Sequence, residues 1–205
     1  MNNEAQFASD VAFTPTVKAI QARKGSRAAY AKMEQAHGWN TTIPPDLAAF
    51  IAAQTSVYLG TANAAGQPYI QHRGGPPGFL HMLDNTTIAF ADFRGNRQFI
   101  STGNLADNPQ AFLFLMDYAT RSRIKIWGEA RVVDDPDLLS QLMPAGYKAR
   151  GEQVMIFRFK AWDANCPQHI PQRVDAADVA RTLAERDSRI AELEAQVKRL
   201  QENRP

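Results

Sequence analysis

The sequence predicts a mainly β domain with added helices: an antiparallel barrel of six strands, with a helical extension before it and a long amphipathic helix after it. Three observations lead there. Between Ser56 and Trp162, short runs with strand character are separated by tight-turn residues such as Asn63-Ala64-Ala65-Gly66 and Asp84-Asn85, the signature of successive hairpins. Thr16 to Gln35 is instead rich in Ala, Lys, Arg and Gln. From Asp175 onward neither Gly nor Pro occurs until Pro205. These shifts divide the chain into a helical extension over residues 1–45, a barrel domain over 46–173 and a C-terminal helix over 174–205.

In chain order, Thr16–Gln35 reads as helical, interrupted at Gly25-Ser26, with a weak apolar stripe that must pack on something larger. Trp39 is the expected anchor for that packing. Pro44-Pro45-Asp46 starts a short helix over Leu47–Ala53, with Asp46 as its cap. The first hairpin is Ser56–Thr61 with Gln67–Arg73, and the second is Phe79–Leu83 with Thr86–Ala91. A helix over Arg97–Leu105, ended by Asp107-Asn108-Pro109, precedes a third hairpin of Ala111–Met116 with Arg123–Val133. Asp134-Asp135-Pro136 opens another helix, and Val154–Trp162 is the last strand. Closing such strands into a barrel removes exposed edges. In the tail, Leu183, Ile190 and Val197 recur at seven residues, as do Arg186, Leu193 and Leu200 three residues later. That is coiled-coil spacing over roughly three heptads. The helix is expected either to pair with another subunit or to dock on its own barrel.

Composition narrows the function classes. Hydrophobic residues make up 44% of the 205, enough for a core, and the net charge of +2 argues against a nucleic-acid binder driven by bulk charge. An anion site, if present, has to be local. Cys166 is the single cysteine, so no intramolecular disulfide can form. No basic region followed by an apolar run opens the chain, and no apolar run approaches membrane-spanning length. The expectation is a cytoplasmic protein without nucleic-acid or membrane partners.

The local cations lie between Gly66 and Gly128. Arg121, Arg123, Lys125 and Trp127 would share one strand face, and Ser122, Ile124 and Ile126 the other, core-facing one. Three cations in a row need either solvent or an anion. At Gly95-Asn96-Arg97, Asn96 would cap a helix whose free N–H groups and adjoining Arg97 suit an anion. Gln71 and Arg73 would share a face with Tyr69, while His72 points the opposite way. Walker, Rossmann, zincin and serine-elbow motifs are all missing.

The order Gly66-Gln67-Pro68, Gly95-Asn96-Arg97, Asn104-Leu105 with Asn108-Pro109, then Arg123 to Gly128 resembles the pyridoxamine 5'-phosphate oxidase-like split-barrel family, over roughly residues 45–165. The resemblance implies a six-stranded antiparallel split β-barrel that forms a homodimer, holds FMN between subunits and acts on a small-molecule substrate as an oxidoreductase. Split barrels also host F420 and haem, for which His72, His81 or His169 could supply an axial ligand. By the same resemblance Arg97 and Asn96 face the FMN phosphate, Gln71, His72 and Arg73 add phosphate and ring contacts, and Arg123 replaces a ring-contacting glutamine with Lys125 beside it. The oxidase's Arg-Leu-His-Asp-Arg element is absent here. In its place is an irregular segment, Trp162 to Arg173. Its Trp162 is a candidate for stacking near the flavin, and His169 and Arg173 are the candidate catalytic residues. Cys166 and His169 are spaced like a metal pair but lack two further ligands, and no metal is expected.

Overall fold

A computed structural model describes residues 7–165 and 167–202. It forms two compact units, one of Met1–Met116 with Arg123–Cys166 and one of Asp117–Ser122 with Pro167–Pro205. The first unit holds a 3-10 turn (Ala8–Val11), helices α1 (Pro15–Lys24), α2 (Arg27–Ala36), α3 (Pro45–Ala53), α4 (Ile100–Asp107) and α5 (Pro136–Leu142), and most of the sheet. The sheet strands are β1 (Ser56–Ala62), β2 (Pro68–Gly74), β3 (His81–Met82), β4 (Thr87–Phe93), β5 (Gln110–Asp117), β6 (Ser122–Val133) and β7 (Gly151–Asn165). Helix α6 (Ala176–Glu202) belongs to the second unit.

The seven strands form one sheet in the order β2-β1-β5-β6-β7-β4-β3. This corrects the expected six, a number one short of the runs read from the sequence, since three hairpins and the last strand make seven. Both arms of the second hairpin are strands, although only His81 and Met82 of its first arm pair with β4. The barrel is also not closed by hydrogen bonds: β2 and β3 are its two edges. Curling nevertheless brings β2 back to β4, because Arg73 Nη1 lies 2.5 Å from Asp92 Oδ1. A side-chain bridge spans the split where a ladder would otherwise close it. Alternation along the strands sends Val57, Leu59, Leu113, Leu115, Ile126 and Phe157 into one core.

The split is held partly by α4. Ser101 Oγ donates to Gln71 Oε1 at 2.8 Å, and Asn104 Nδ2 donates to Thr61 Oγ1 at 3.0 Å. Asn108 Nδ2 reaches the carbonyl of Ala62 at 3.3 Å. The Asn104 and Asn108 contacts tie the helix to β1 and fix the entry to β5.

The N-terminal extension explains its weak apolar stripe. Over residues 7–42 its buried residues are polar: Ser9, Gln21 and Glu34. Arg27 bonds Gln21 Oε1 at 2.8 Å and pairs with Glu34, which also accepts from Ser9 Oγ at 3.0 Å. Aromatic contacts attach the extension to the sheet. Trp39 stacks on Trp127 at 4.7 Å between centroids and packs against Phe13 at 4.9 Å, so the anchor expected at Trp39 is found. Asp46 is not a cap: α3 starts after Pro44, without a side-chain cap, and Asp46 sits in its first turn. Asp135 does cap α5, accepting from the backbone N–H of Leu138 at 2.9 Å.

In the second unit, residues 117–122 form a turn organised by Asp117, whose Oδ1 accepts from the N–H groups of Ala119 and Thr120. The segment after Pro167 clasps that turn. Arg173 N donates to the Tyr118 carbonyl, its guanidinium lies 4.6 Å from the Tyr118 ring, and Gln172 Nε2 donates to the Ala119 carbonyl. Among the described residues no helix is long and apolar enough to cross a membrane.

Candidate functional site

The split between β2 and β4 is the best-built polar site. Arg73 and Asp92 have side chains only 14% and 9% exposed, so their attraction is little screened. Gln153 Nε2 donates both to Asp92 Oδ2 at 2.8 Å and to Thr102 Oγ1 at 3.0 Å. Together these bonds join β2, β4, α4 and β7. One donor is left over: the Nε of Arg73 is buried and has no hydrogen-bond partner, an unusual cost for a guanidinium. Gln71, Arg73, Asp92, Phe93 and Gly95 line two adjoining clefts of about 40 and 200 Å³.

The loop from Gly95 to Phe99 forms the outer wall of the smaller cleft. Here the structure corrects the sequence reading. Helix α4 begins at Ile100, not Arg97, and its N-cap is Phe99, in the left-handed region at φ 52°. Asn96 therefore does not cap the helix. Its Oδ1 accepts from the N–H of Gln98 at 3.2 Å and tightens the loop. Arg97 has φ 59°, projects 5.3 Å from the Phe99 ring and pairs with Glu152 Oε1 at 2.9 Å. Its side chain is 52% exposed. Two cations and two carboxylates, of Asp92 and Glu152, thus share the cleft.

His72 alternates to the opposite face of β2 from Gln71 and Arg73, yet it lines the larger of the two clefts with them. It is exposed, with Nε2 2.7 Å from Ser56 Oγ and its ring edge-on to Tyr58.

Lys125 and Trp162 line a different cavity, of about 590 Å³, with Trp39, Tyr30 and Asp163. Lys125 Nζ pairs with Asp163 at 2.8 Å and lies over both Trp127 and Trp39, at 5.3 and 5.7 Å. Trp162 Nε1 donates to the Thr42 carbonyl at 2.8 Å. Arg123 is half-buried at the start of β6, on the Lys125 face, while Ile124 and Ile126 enter the core as expected. Arg121 departs from the expected row: it lies in the turn at φ 55°, before the strand begins.

His169, at φ 64°, and Arg173 lie on the second unit's clasp. Cys166 is outside the described residues. The structure thus gathers Gln71, Arg73, Asn96 and Arg97 at one cleft and Lys125 with Trp162 at another cavity. Sequence reasoning missed Asp92, Gln153, Glu152 and Ser101. Asp92 did carry a signal: it is the only charged residue in the apolar strand Thr87–Phe93, and a buried carboxylate demands a cation.

No curated protein matches the chain in sequence. Among solved structures it is similar to an H111A variant of HupZ from Group A Streptococcus, at 13% identity and TM-score 0.49, covering 60% of this chain and 99% of that one. An FMN-binding protein from Syntrophomonas wolfei subsp. wolfei is similar at 11% identity and TM-score 0.46, covering 71% and 97%. An F420 reductase is similar at 16% identity and TM-score 0.43, covering 59% and 98%. The profile of the family described as pyridoxamine 5'-phosphate oxidase matches residues 43–166. That span is more than half of the chain and contains the whole β2–β4 split, so the chain belongs to the pyridoxamine 5'-phosphate oxidase family.

Proposed function

We propose that the protein binds FMN as a homodimer and catalyses two-electron oxidation or reduction of a small molecule. The observation that carries this reading is the buried, acceptor-less Nε of Arg73 in a cleft that the loop of Arg97 borders. A phosphate oxygen would satisfy that donor. Around Gly95 the loop also has room, since a Cβ built there meets nothing within 4 Å. The cleft therefore fits an anionic, hydrogen-bonding group.

Bound FMN would supply reversible hydride-level redox chemistry. The chain's own residues have distinct parts in the proposal. Arg97 neutralises the phosphate, exchanging its contact with Glu152 for the ligand. Arg73 donates from the floor while keeping Asp92, and Gln71 and the Asn96 loop orient the ligand through hydrogen bonds. Arg123 and Lys125 place positive charge where the reduced ring gains negative charge. Trp162 offers an aromatic edge, and His169 and Arg173 face substrate in the assembled dimer.

The test is an absorption spectrum of the purified protein, repeated after incubation with FMN and removal of the excess. Flavin bands that co-elute with protein are expected, followed by bleaching on anaerobic titration with NADH or NADPH. Protein that stays colourless after FMN overturns the proposal. A Soret band, or retention of F420 but not FMN in a parallel incubation, would assign the split to haem or F420 instead.

A further inference from the structure

Helix α6 runs for 27 residues with none of them buried. Its exposed residues include Val179, Leu183, Ile190, Leu193, Val197 and Leu200. In heptad terms, Leu183, Ile190 and Val197 occupy a positions, and Val179, Leu193 and Leu200 occupy d positions. An apolar seam of this length, interrupted only by Arg186, is unstable on a solvated helix unless covered.

We propose that this seam is covered by α6 of a second copy, in a parallel, in-register, two-stranded coiled coil. Three features select that occupant. First, β-branched residues stand at a (Ile190, Val197) with leucine at d (Leu193, Leu200), the combination that favours two parallel strands over trimers or tetramers. Second, the flanking charges match in parallel only. Arg189 at g faces Glu194 at e of the second helix, twice by symmetry. The antiparallel register that aligns the same apolar layers sets Asp187 against Glu194, a like-charge pair. In a single copy Arg189 is paired with Glu192 at 2.8 Å and both side chains are 66% exposed, so switching partner costs little. Third, the one charged residue in the seam, Arg186 at d, is followed by Asp187 at e. In parallel pairing each Arg186 meets the other helix's Asp187. A slip of one heptad would break this match, so Arg186 sets register at some cost in stability.

The test uses the full chain with Cys166→Ser and a single introduced thiol. Leu200→Cys places thiols face to face at a d layer in the parallel pair, whereas antiparallel pairing sets them at opposite ends. Ala195→Cys, at the outer f position, is the control. Under mild oxidation L200C is expected to give mostly a reductant-sensitive dimer on a non-reducing gel, with A195C at least five-fold less. Arg186→Leu, added to L200C, is expected to raise the denaturant concentration at which cross-linking is lost. Absence of cross-linking in L200C, or equal cross-linking in both variants, overturns the proposal. Because the readout is cross-linking, it is independent of whether flavin binds.

Discussion

Arg73 and Arg97 border the same cleft but answer to different physics. Arg73 is buried against Asp92, so removing it strands a carboxylate in a poorly solvated site. Arg73→Met is expected to cost about 3 kcal/mol in urea unfolding. Adding Asp92→Asn, which keeps a group for Gln153 to bond, should recover most of that loss. Arg97 is half exposed and pairs with Glu152 at the surface. Arg97→Ala should change unfolding free energy by less than about 1 kcal/mol, yet weaken FMN binding at least ten-fold in a fluorescence titration. Glu152 separates competition from support. If it occupies the phosphate's place, Glu152→Gln tightens FMN binding several-fold at low salt; if it orients Arg97 for the ligand, the same change weakens binding. The sequence made Arg97 visible as a cation beside a glycine turn, and Arg73 as one member of a strand face. It left Glu152 unseen, because nothing local tells which strand end will meet a loop more than fifty residues earlier.

Among the elements, strands were the most legible and helix starts the least. Runs of strand character bounded by turn residues located β1, β2, β4, β5 and β6 to within one or two residues. Helix α4 was misplaced at its start because Asn96 is a good cap in principle, while the backbone takes two left-handed residues, Arg97 and Phe99, before turning helical. Such conformations depend on contacts that the sequence does not display. Hairpin β5–β6 shows the same limit at Arg121, whose charge fits the strand pattern but whose φ belongs to the turn. The N-terminal extension had only Trp39 as a clue, and Trp39 is where its attachment concentrates. Stacked on Trp127 and tilted against Phe13, it contributes two aromatic pairs worth roughly 0.5–1.5 kcal/mol each beyond area burial. Trp39→Ala should therefore release residues 7–42 before the barrel unfolds. Limited proteolysis would show early cleavage between α2 and α3, with the tryptic core intact.

At the scale of the whole sheet, the curl depends on one position. Between Trp127 and Gly128 the β6–β7 register shifts, and a Cβ built on Gly128 would lie 2.1 Å from the Arg158 carbonyl oxygen and 2.5 Å from the Phe157 ring. The carbonyl belongs to the paired strand and the ring to the core, so neither can move without breaking the ladder or the packing. The irregularity lies midway along the longest pairing in the sheet, and such bulges bend and twist strands. The bend helps the sheet curl far enough for Arg73 on β2 to reach Asp92 on β4. Gly128→Ala is thus expected to cost more than about 4 kcal/mol, and to abolish the cooperative unfolding transition rather than shift it. Gly66→Ala is the matching control. Gly66, unlike Gly128, has a positive φ, of 83°, and its Cβ would meet nothing within 4 Å, so only backbone strain of roughly 1–2 kcal/mol is at stake. If both variants lose the same stability by urea unfolding, the close approach at Gly128 is not what holds the curl. If G128A alone loses the transition, the geometry of the β2–β4 split rests on a strand crossing that the split itself never touches.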